Sequence, residues 1–127
     1  MRLLKDSLWL GKLIKHRCEE VLPVYPVMAT AGAPDSFCVY RRTSFQGRDT
    51  KDLHDITESM GVQVTVVTKG YDEGLAKASG INERLDHLRG DFGGIRICRM
   101  TLANAVEEWG ENAFLQHLYY EIEIERK

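Results

Sequence analysis

The sequence contains little of what a metal site, a disulfide framework or a membrane anchor needs. Its three cysteines, Cys18, Cys38 and Cys98, are odd in number, widely spaced and form no Cys-x-x-Cys pair. Such thiols are typical of a protein that folds in a reducing compartment. No apolar run approaches the ~20 residues that span a bilayer, and charged residues interrupt the N-terminal segment. We therefore expect a cytosolic protein with no membrane partner.

An excess of positive charge is missing too. The 127 residues carry 17 Lys plus Arg against 19 Asp plus Glu, a net charge of −2. A protein that grips the DNA backbone over a broad surface usually has a basic excess. The balance therefore argues against a dedicated nucleic-acid binder, but it leaves room for a local basic patch. Hydrophobic residues at 43% and charged residues at 28% fit an ordinary folded chain, and the length predicts one domain over residues 1–127.

Catalytic motifs are equally scarce. Gly93-Gly94 is a lone pair rather than a phosphate-binding loop, and no Gly-x-Ser-x-Gly elbow occurs. Each histidine has a location that needs no catalytic role. His16 is predicted at a charged helix end and His54 in a polar loop. His87 is predicted near a helix C-terminus, and His117 on a wet strand face. A Cys–His nucleophile pair built from distant positions stays open. We predict no enzyme activity, no metal and no cofactor.

The stretch from Gly61 to Gly90 organises the chain. Residues 61–68 are rich in β-branched side chains and alternate, which predicts a strand. A break follows, and Asp72 is predicted to cap an amphipathic helix. The apolar positions of that helix, which cover an arc of about 140°, are Leu75, Ala78, Ile81, Leu85 and Leu88. Residues predicted to be buried in the core are Val64, Val66, Leu85, Leu88, Leu118, Tyr120 and Ile122.

Shorter patterns on either side complete the expected fold. They predict a helix over 6–20, an extension over 24–29, and strands over 37–45, 95–102 and 113–125. Residues 90–94 are predicted to form a turn, and residues 103–112 a connection with an acidic tip. The last two strands are close enough to form a hairpin. This order predicts an α+β fold: a mostly antiparallel sheet with one central amphipathic helix and an N-terminal helix on one face.

The least core-like stretch runs from Gln46 to Ser59, where only Leu53 and Ile56 are apolar. It fits either a solvated loop or an ordered loop that contacts another subunit or a partner. The spacing of its acidic residues and His54 matches no calcium or zinc pattern. Trp9 lies away from the apolar arc of its helix, so it either packs over the core edge or faces a partner. Candidate interaction residues are Arg48, Asp49, Lys51, Asp52, Tyr25 and Trp9.

Three short motifs carry a family resemblance that extends over roughly residues 8–125. Val24-Tyr25-Pro26 is followed by Pro34 and Phe37-Cys38-Val39-Tyr40, and Val62-Gln63-Val64-Thr65-Val66 is followed by Tyr71-Asp72-Glu73-Gly74. The closing strand contains Tyr119-Tyr120-Glu121-Ile122. With the N-terminal helix, this layout resembles the bacteriophage tail-completion, or tail-terminator, family, although the short, charged first helix departs from the usual pattern. The motifs describe a scaffold rather than an active site.

The resemblance implies a structural protein of a phage or prophage that caps the tail tube and joins tail to head. It implies a hexameric ring with a central channel, through which DNA passes without specific binding. The implied partners are other copies of the chain, the tail-tube protein and the head–tail connector proteins. The implied location is the host cytoplasm during assembly and then the tail or neck of the virion. An exposed edge strand near Tyr25 and the loop 46–59 are the candidate faces of the ring.

Two other readings stay open at this point. One is a head–tail connector or another neck component, which shares the small size and the lack of catalytic motifs. The other is a small cytosolic α+β enzyme or ligand-binding domain. An enzyme is expected to show a polar-lined pocket with perturbed ionisable groups.

Reversing Arg48 and Lys51 to Glu should leave the subunit folded and lower the yield of joined particles. The loop has few apolar anchors, so folding gains little from it, whereas paired charges set the orientation of an interface. Thermal unfolding of the isolated variant and particle yield in a complementation assay are the two measurements. Unchanged unfolding with normal yield would mark the loop as a solvated connection, and lost folding would place it in the core.

Overall fold

A computed structural model describes residues 6–27, 34–46, 57–110 and 112–126 of the chain. These residues form two helices and six strands. In chain order they are α1 (Asp6–Cys18), β1 (Val24–Pro26), β2 (Phe37–Gln46), β3 (Thr57–Thr68), α2 (Tyr71–Leu85), β4 (Gly90–Phe92), β5 (Ile95–Gly110) and β6 (Ala113–Arg126).

All six strands belong to one sheet, in the order β1-β2-β3-β6-β5-β4. Only β1 and β2 are parallel, and every other neighbouring pair is antiparallel. The β-branched strand β3 is paired along its length with β6 and over most of it with β2, so it lies at the centre. The predicted α+β fold with a mostly antiparallel sheet is therefore confirmed.

The core lies between the two helices and one face of the sheet. Its sheet side includes Val62, Val64 and Val66, and its α2 side includes Ile81 and Leu85. From α1 come Leu10, Leu13, Ile14 and Cys18. Gly11 allows α1 to lie close to β2, because a Cβ at this position would overlap the Tyr40 hydroxyl. The Tyr120 hydroxyl, which is the polar tip of a buried side chain, donates to Asn82 Oδ1 at 2.7 Å.

The predicted core residues Val64, Val66, Leu85, Leu118, Tyr120 and Ile122 are buried, as expected. Leu88 is not fully buried and packs only partly against the core. The reason is that α2 ends at Leu85. Leu88 therefore lies in the turn that leads to β4 rather than on the buried face of the helix.

Three predictions are wrong in the same direction, because residues expected in loops or turns belong to strands: two strands are longer than their apolar patterns, and one short strand was not predicted. Residues 57–59, which were expected in the loop, begin β3. Residues 103–110, expected in an acidic connection, continue β5 to a short turn before Ala113. Residues 90–92, expected in a turn, form β4. Backbone pairing with a neighbouring strand extends each element where the side chains give no alternating signal.

The start of α2 also differs from the prediction. The helix begins at Tyr71, its N-cap is Gly70, and no side chain caps it. Asp72 lies inside the first turn instead of at the cap. A carboxylate in that turn still interacts favourably with the positive end of the helix dipole.

Replacing Leu85 by Ala should lower the free energy of unfolding by about 2–5 kcal/mol, because Leu85 is fully buried between α2 and the sheet. Leu75 on the same helix is 39% exposed, and Leu75→Ala is the matched control with a change within about 0.5 kcal/mol. Urea unfolding of both variants measures the difference. Equal effects for the two substitutions would contradict the assignment of the buried helix face.

Candidate interaction surface

The face of the sheet that the helices leave uncovered presents side chains in rows across the strands. The register aligns Phe37, Val67, Leu115 and Glu108 in one row, and Arg41, Gln63, Tyr119 and Asn104 in another. Thr65 and His117 form a pair between these rows. The face therefore changes from apolar to polar along the strands.

A chain of hydrogen bonds runs across this polar part. Arg41 donates through Nε and Nη2 to Gln63 Oε1 at 3.1 and 2.9 Å. Gln63 Nε2 donates to Thr65 Oγ1 at 3.1 Å and lies 3.0 Å from His117 Nδ1. Thr65 Oγ1 is 2.8 Å from the same nitrogen, and His117 Nε2 is 2.7 Å from Glu108 Oε1. The chain connects β2, β3, β6 and β5.

The geometry favours one tautomer of His117. With the proton on Nε2, the imidazole donates to the Glu108 carboxylate, and Nδ1 is free to accept from Thr65 and Gln63. The wet face predicted for His117 is wrong, because its side chain is only 16% exposed. Sequence alternation identifies which face a residue points to, but it does not show that neighbouring strands crowd that face.

A hydroxyl, an imidazole and a carboxylate thus stand in the order found in hydrolase triads. Thr65 is only 6% exposed, and its hydroxyl also accepts a hydrogen bond from Gln63. The larger grooves along the described part of the sheet are lined by other residues than Thr65 and His117. The Thr65 hydroxyl is therefore largely shielded from solvent and already engaged by Gln63 and His117.

A groove of about 620 Å³ with a mixed apolar and charged lining lies at one end of the uncovered face. Phe37, Val67 and Leu115 belong to its lining, and so do three charged residues, among them Lys69. Tyr25, a predicted interaction residue, packs edge-on against Phe37 with ring centroids 6.0 Å apart. The structure thus places Tyr25 beside this groove, half-buried at the β1 edge of the sheet.

The β5–β6 hairpin carries an exposed aromatic group near its turn. Trp109, which is 58% exposed, lies with its ring centroid 4.6 Å from that of Phe114, and Tyr71 contacts the same Phe114 edge-on at 5.6 Å. A hydrogen bond between Tyr71 and Glu107 raises the pKa of the tyrosine and lowers the pKa of the carboxyl. We call Tyr71, Trp109 and Phe114 the hairpin cluster. The sequence pattern gives no signal for this cluster, because it predicts a connection over residues 103–112.

The other predicted interaction residues have mixed outcomes. Trp9 packs between α1 and β4, where its Nε1 donates to the Phe92 carbonyl at 2.7 Å and its ring meets Phe92 edge-on. Its role toward a partner stays a prediction. The charged residues Arg48, Asp49, Lys51 and Asp52 lie outside the residues that the structure describes.

Other chemistry is limited within the described ranges. There, no group of three or more His, Cys, Asp or Glu is placed to hold a metal ion. No helix in those ranges is long and apolar enough to cross a bilayer. Cys18 and Cys38 are buried, and burial raises the pKa of each thiol to about 12. Thiols with such pKa values are unreactive near neutral pH, because the nucleophile is the thiolate.

Neither protein-family models nor curated proteins match the chain. Among solved structures, a chain from the "virion of native gene transfer agent (GTA) particle" is similar, with a TM-score of 0.63 and 12% sequence identity. The match covers 98% of this chain and 86% of that chain. A second solved chain, whose name states no activity, has a TM-score of 0.63 and 17% identity over 95% of this chain and 91% of its own length. At such identities the likeness shows a shared fold.

Replacing Thr65 by Val should lower the free energy of unfolding by about 1–3 kcal/mol, because Gln63 and His117 lose a shared partner in a buried site. Thr101→Val is the matched control, since Thr101 lies on the lining of a polar groove on the same face and should change stability by less than about 0.5 kcal/mol. Chemical denaturation measures both. A neutral Thr65→Val variant would show that the hydrogen-bond chain does not contribute to folding.

Proposed function

We propose that this chain is a structural protein of a phage or phage-like particle that caps the tail tube and joins the tail to the head. In this proposal it acts as a hexameric ring around a channel for DNA. The observation that carries the proposal is the likeness to a chain of a gene transfer agent virion over 98% of this chain. The motif resemblance to tail-terminator proteins points in the same direction.

The physical properties of the chain support such a role. The net charge of −2 disfavours tight binding of a DNA backbone, and a channel through which DNA must slide needs weak contacts. The hydrogen-bond chain from Arg41 to Glu108 links four strands of the sheet through side chains. A subunit with strands linked in this way, a partly apolar groove and an exposed hairpin cluster fits a role in assembly.

The second candidate is a connector or neck protein on the head side of the same junction. The likeness to the virion chain supports this candidate as well, since that likeness does not specify a position within the particle. The proposals differ in the partner that the chain binds first. Before head and tail join, a terminator is bound to the tail, whereas a connector is bound to the head.

The test uses cells that make the particle and carry a block in head–tail joining. Unjoined heads and unjoined tails are separated by sedimentation, and the chain is located with an antibody or a tag. We expect the chain in the tail fraction and, by electron microscopy, a ring at one end of each tail. Presence in the head fraction would favour the connector, and absence from both fractions would overturn the structural role.

A further inference from the structure

The strand β5 extends well past its outer neighbour. The strand β4 pairs only with residues 95–97 of β5. Beyond β4, two hydrogen bonds connect the outer edge of β5 to the segment between α2 and β4. The His87 N–H donates to the Met100 carbonyl, and the Leu102 N–H donates to Asp86 Oδ1. Residues 103–109 are exposed, and within the described ranges no strand pairs with their outer edge. The Ala105 N–H donates to the side chain of the adjacent Asn104 rather than to another strand.

The opposite edge of the sheet has a matching feature. The strand β1 pairs only with residues 38–40 of β2. Residues 41–46 of β2 therefore continue past β1, with no strand beside their outer edge within the part of the chain that the structure describes. Arg41, Thr43 and Ser44 in this segment are exposed. We call residues 103–110 and 41–46 the two edge segments.

We propose that the two edge segments pair with each other between neighbouring copies of this chain, so that the ring is held by a β-ladder from subunit to subunit. The inference rests on the ring of the proposed function and names its interface. An exposed strand edge is a template for adding a further strand, and its backbone groups supply the binding contacts. A heterologous contact between two different edges is the kind that generates a closed ring.

Charge favours this pairing over self-association of two β5 edges. The β5 edge segment contains Glu107 and Glu108, and the β2 edge segment contains Arg41 and Arg42. A symmetric pair of β5 edges would bring the four carboxylates of two copies close together, which is unfavourable for facing strands. Pairing of β5 with β2 brings opposite charges together instead. It also covers part of Val106 and Trp109, which are exposed in the single subunit.

The register sets the offset between neighbours. Arg41 on β2 aligns with Asn104 on β5, through Gln63 and Tyr119, and the two edge segments extend from that row in opposite directions. They meet only if the next copy is shifted along the strands by about six residues, or about 20 Å. With this shift the short strands β1 and β4 lie beyond the ends of the new ladder, so neither obstructs it. The sheet directions make the ladder antiparallel, and a stagger between strands is what closure into a barrel requires.

Cross-linking in particles made by cells that encode the chain tests the pairing. In a Cys98→Ser background, the two remaining cysteines are buried. The double variant Thr43→Cys/Val106→Cys then carries one accessible thiol on each edge segment, and β3 and β6 separate the two sites within one copy. Treatment with a short bismaleimide should give a ladder of linked species up to the closed ring. Each single variant should stay at the mass of one chain.

Each outcome separates the inference from the proposed function. A chain that is present in particles but gives no ladder would overturn the edge pairing and leave the structural role intact. Dimers formed by Val106→Cys alone would also overturn it, since they would show self-pairing of β5. Absence of the natural chain from particles would remove the proposed function, and the inference with it.

Amide hydrogen exchange on the natural sequence gives an independent readout, which does not depend on the variants folding. Exchange at residues 103–110 should slow at least ten-fold between the dilute subunit and the assembled ring. Exchange at residues 78–85 of α2, which packs on β3 and β6 and which at these positions lies more than one turn beyond Tyr71, should change little and serves as the internal control. Unchanged exchange at residues 103–110 in the ring would contradict the proposal.

Discussion

Burial of β3 on both of its faces is the constraint on which the rest of the structure depends. On one face Val62, Val64 and Val66 pack under the helices, and on the other Gln63 and Thr65 are nearly as inaccessible. Each buried valine contributes on the order of 1.5–3 kcal/mol from apolar transfer alone. The polar residues add stability only if their hydrogen bonds are complete, because an unpaired buried amide or hydroxyl costs about 1–3 kcal/mol.

The two faces of β3 fix the arrangement of the sheet in different ways. The apolar face can be covered by any apolar side chains of suitable total volume, so it is compatible with several packing arrangements. The polar face requires particular partners, because the Gln63 amide has to meet both Arg41 and the pair of Thr65 and His117. A slip of one residue between β3 and β6 would remove these bonds and move every side chain to the other face. No described buried side-chain nitrogen or oxygen lacks a partner, so the observed register satisfies both faces at once.

This division explains what the sequence predicts well and what it misses. The alternating valines of β3 and the apolar arc of α2 identify the core, because burial leaves a periodic signal in residue type. The pairing of Thr65 with His117 leaves no local signal, since it depends on the register of two strands separated by 52 residues. Residues 103–109 of β5 are exposed on both faces, so their side chains carry no alternation. Their strand conformation comes from the ladder with β6, which only the tertiary structure reveals.

If the edge segments pair as proposed, the composition of that extension meets opposing needs of the subunit before and after assembly. A long exposed edge with Val106 and Trp109 would pair with other edges at random, and carboxylates within it oppose such pairing. Glu107 and Glu108 stand where they would repel a second copy of the same edge, and neither disturbs the ladder with β6. Carboxylates that repel an acidic edge do not repel a basic one, so they still permit pairing with a basic partner. In the proposed edge pairing, the same two residues would oppose self-association of the isolated edge and favour the edge that contains Arg41 and Arg42.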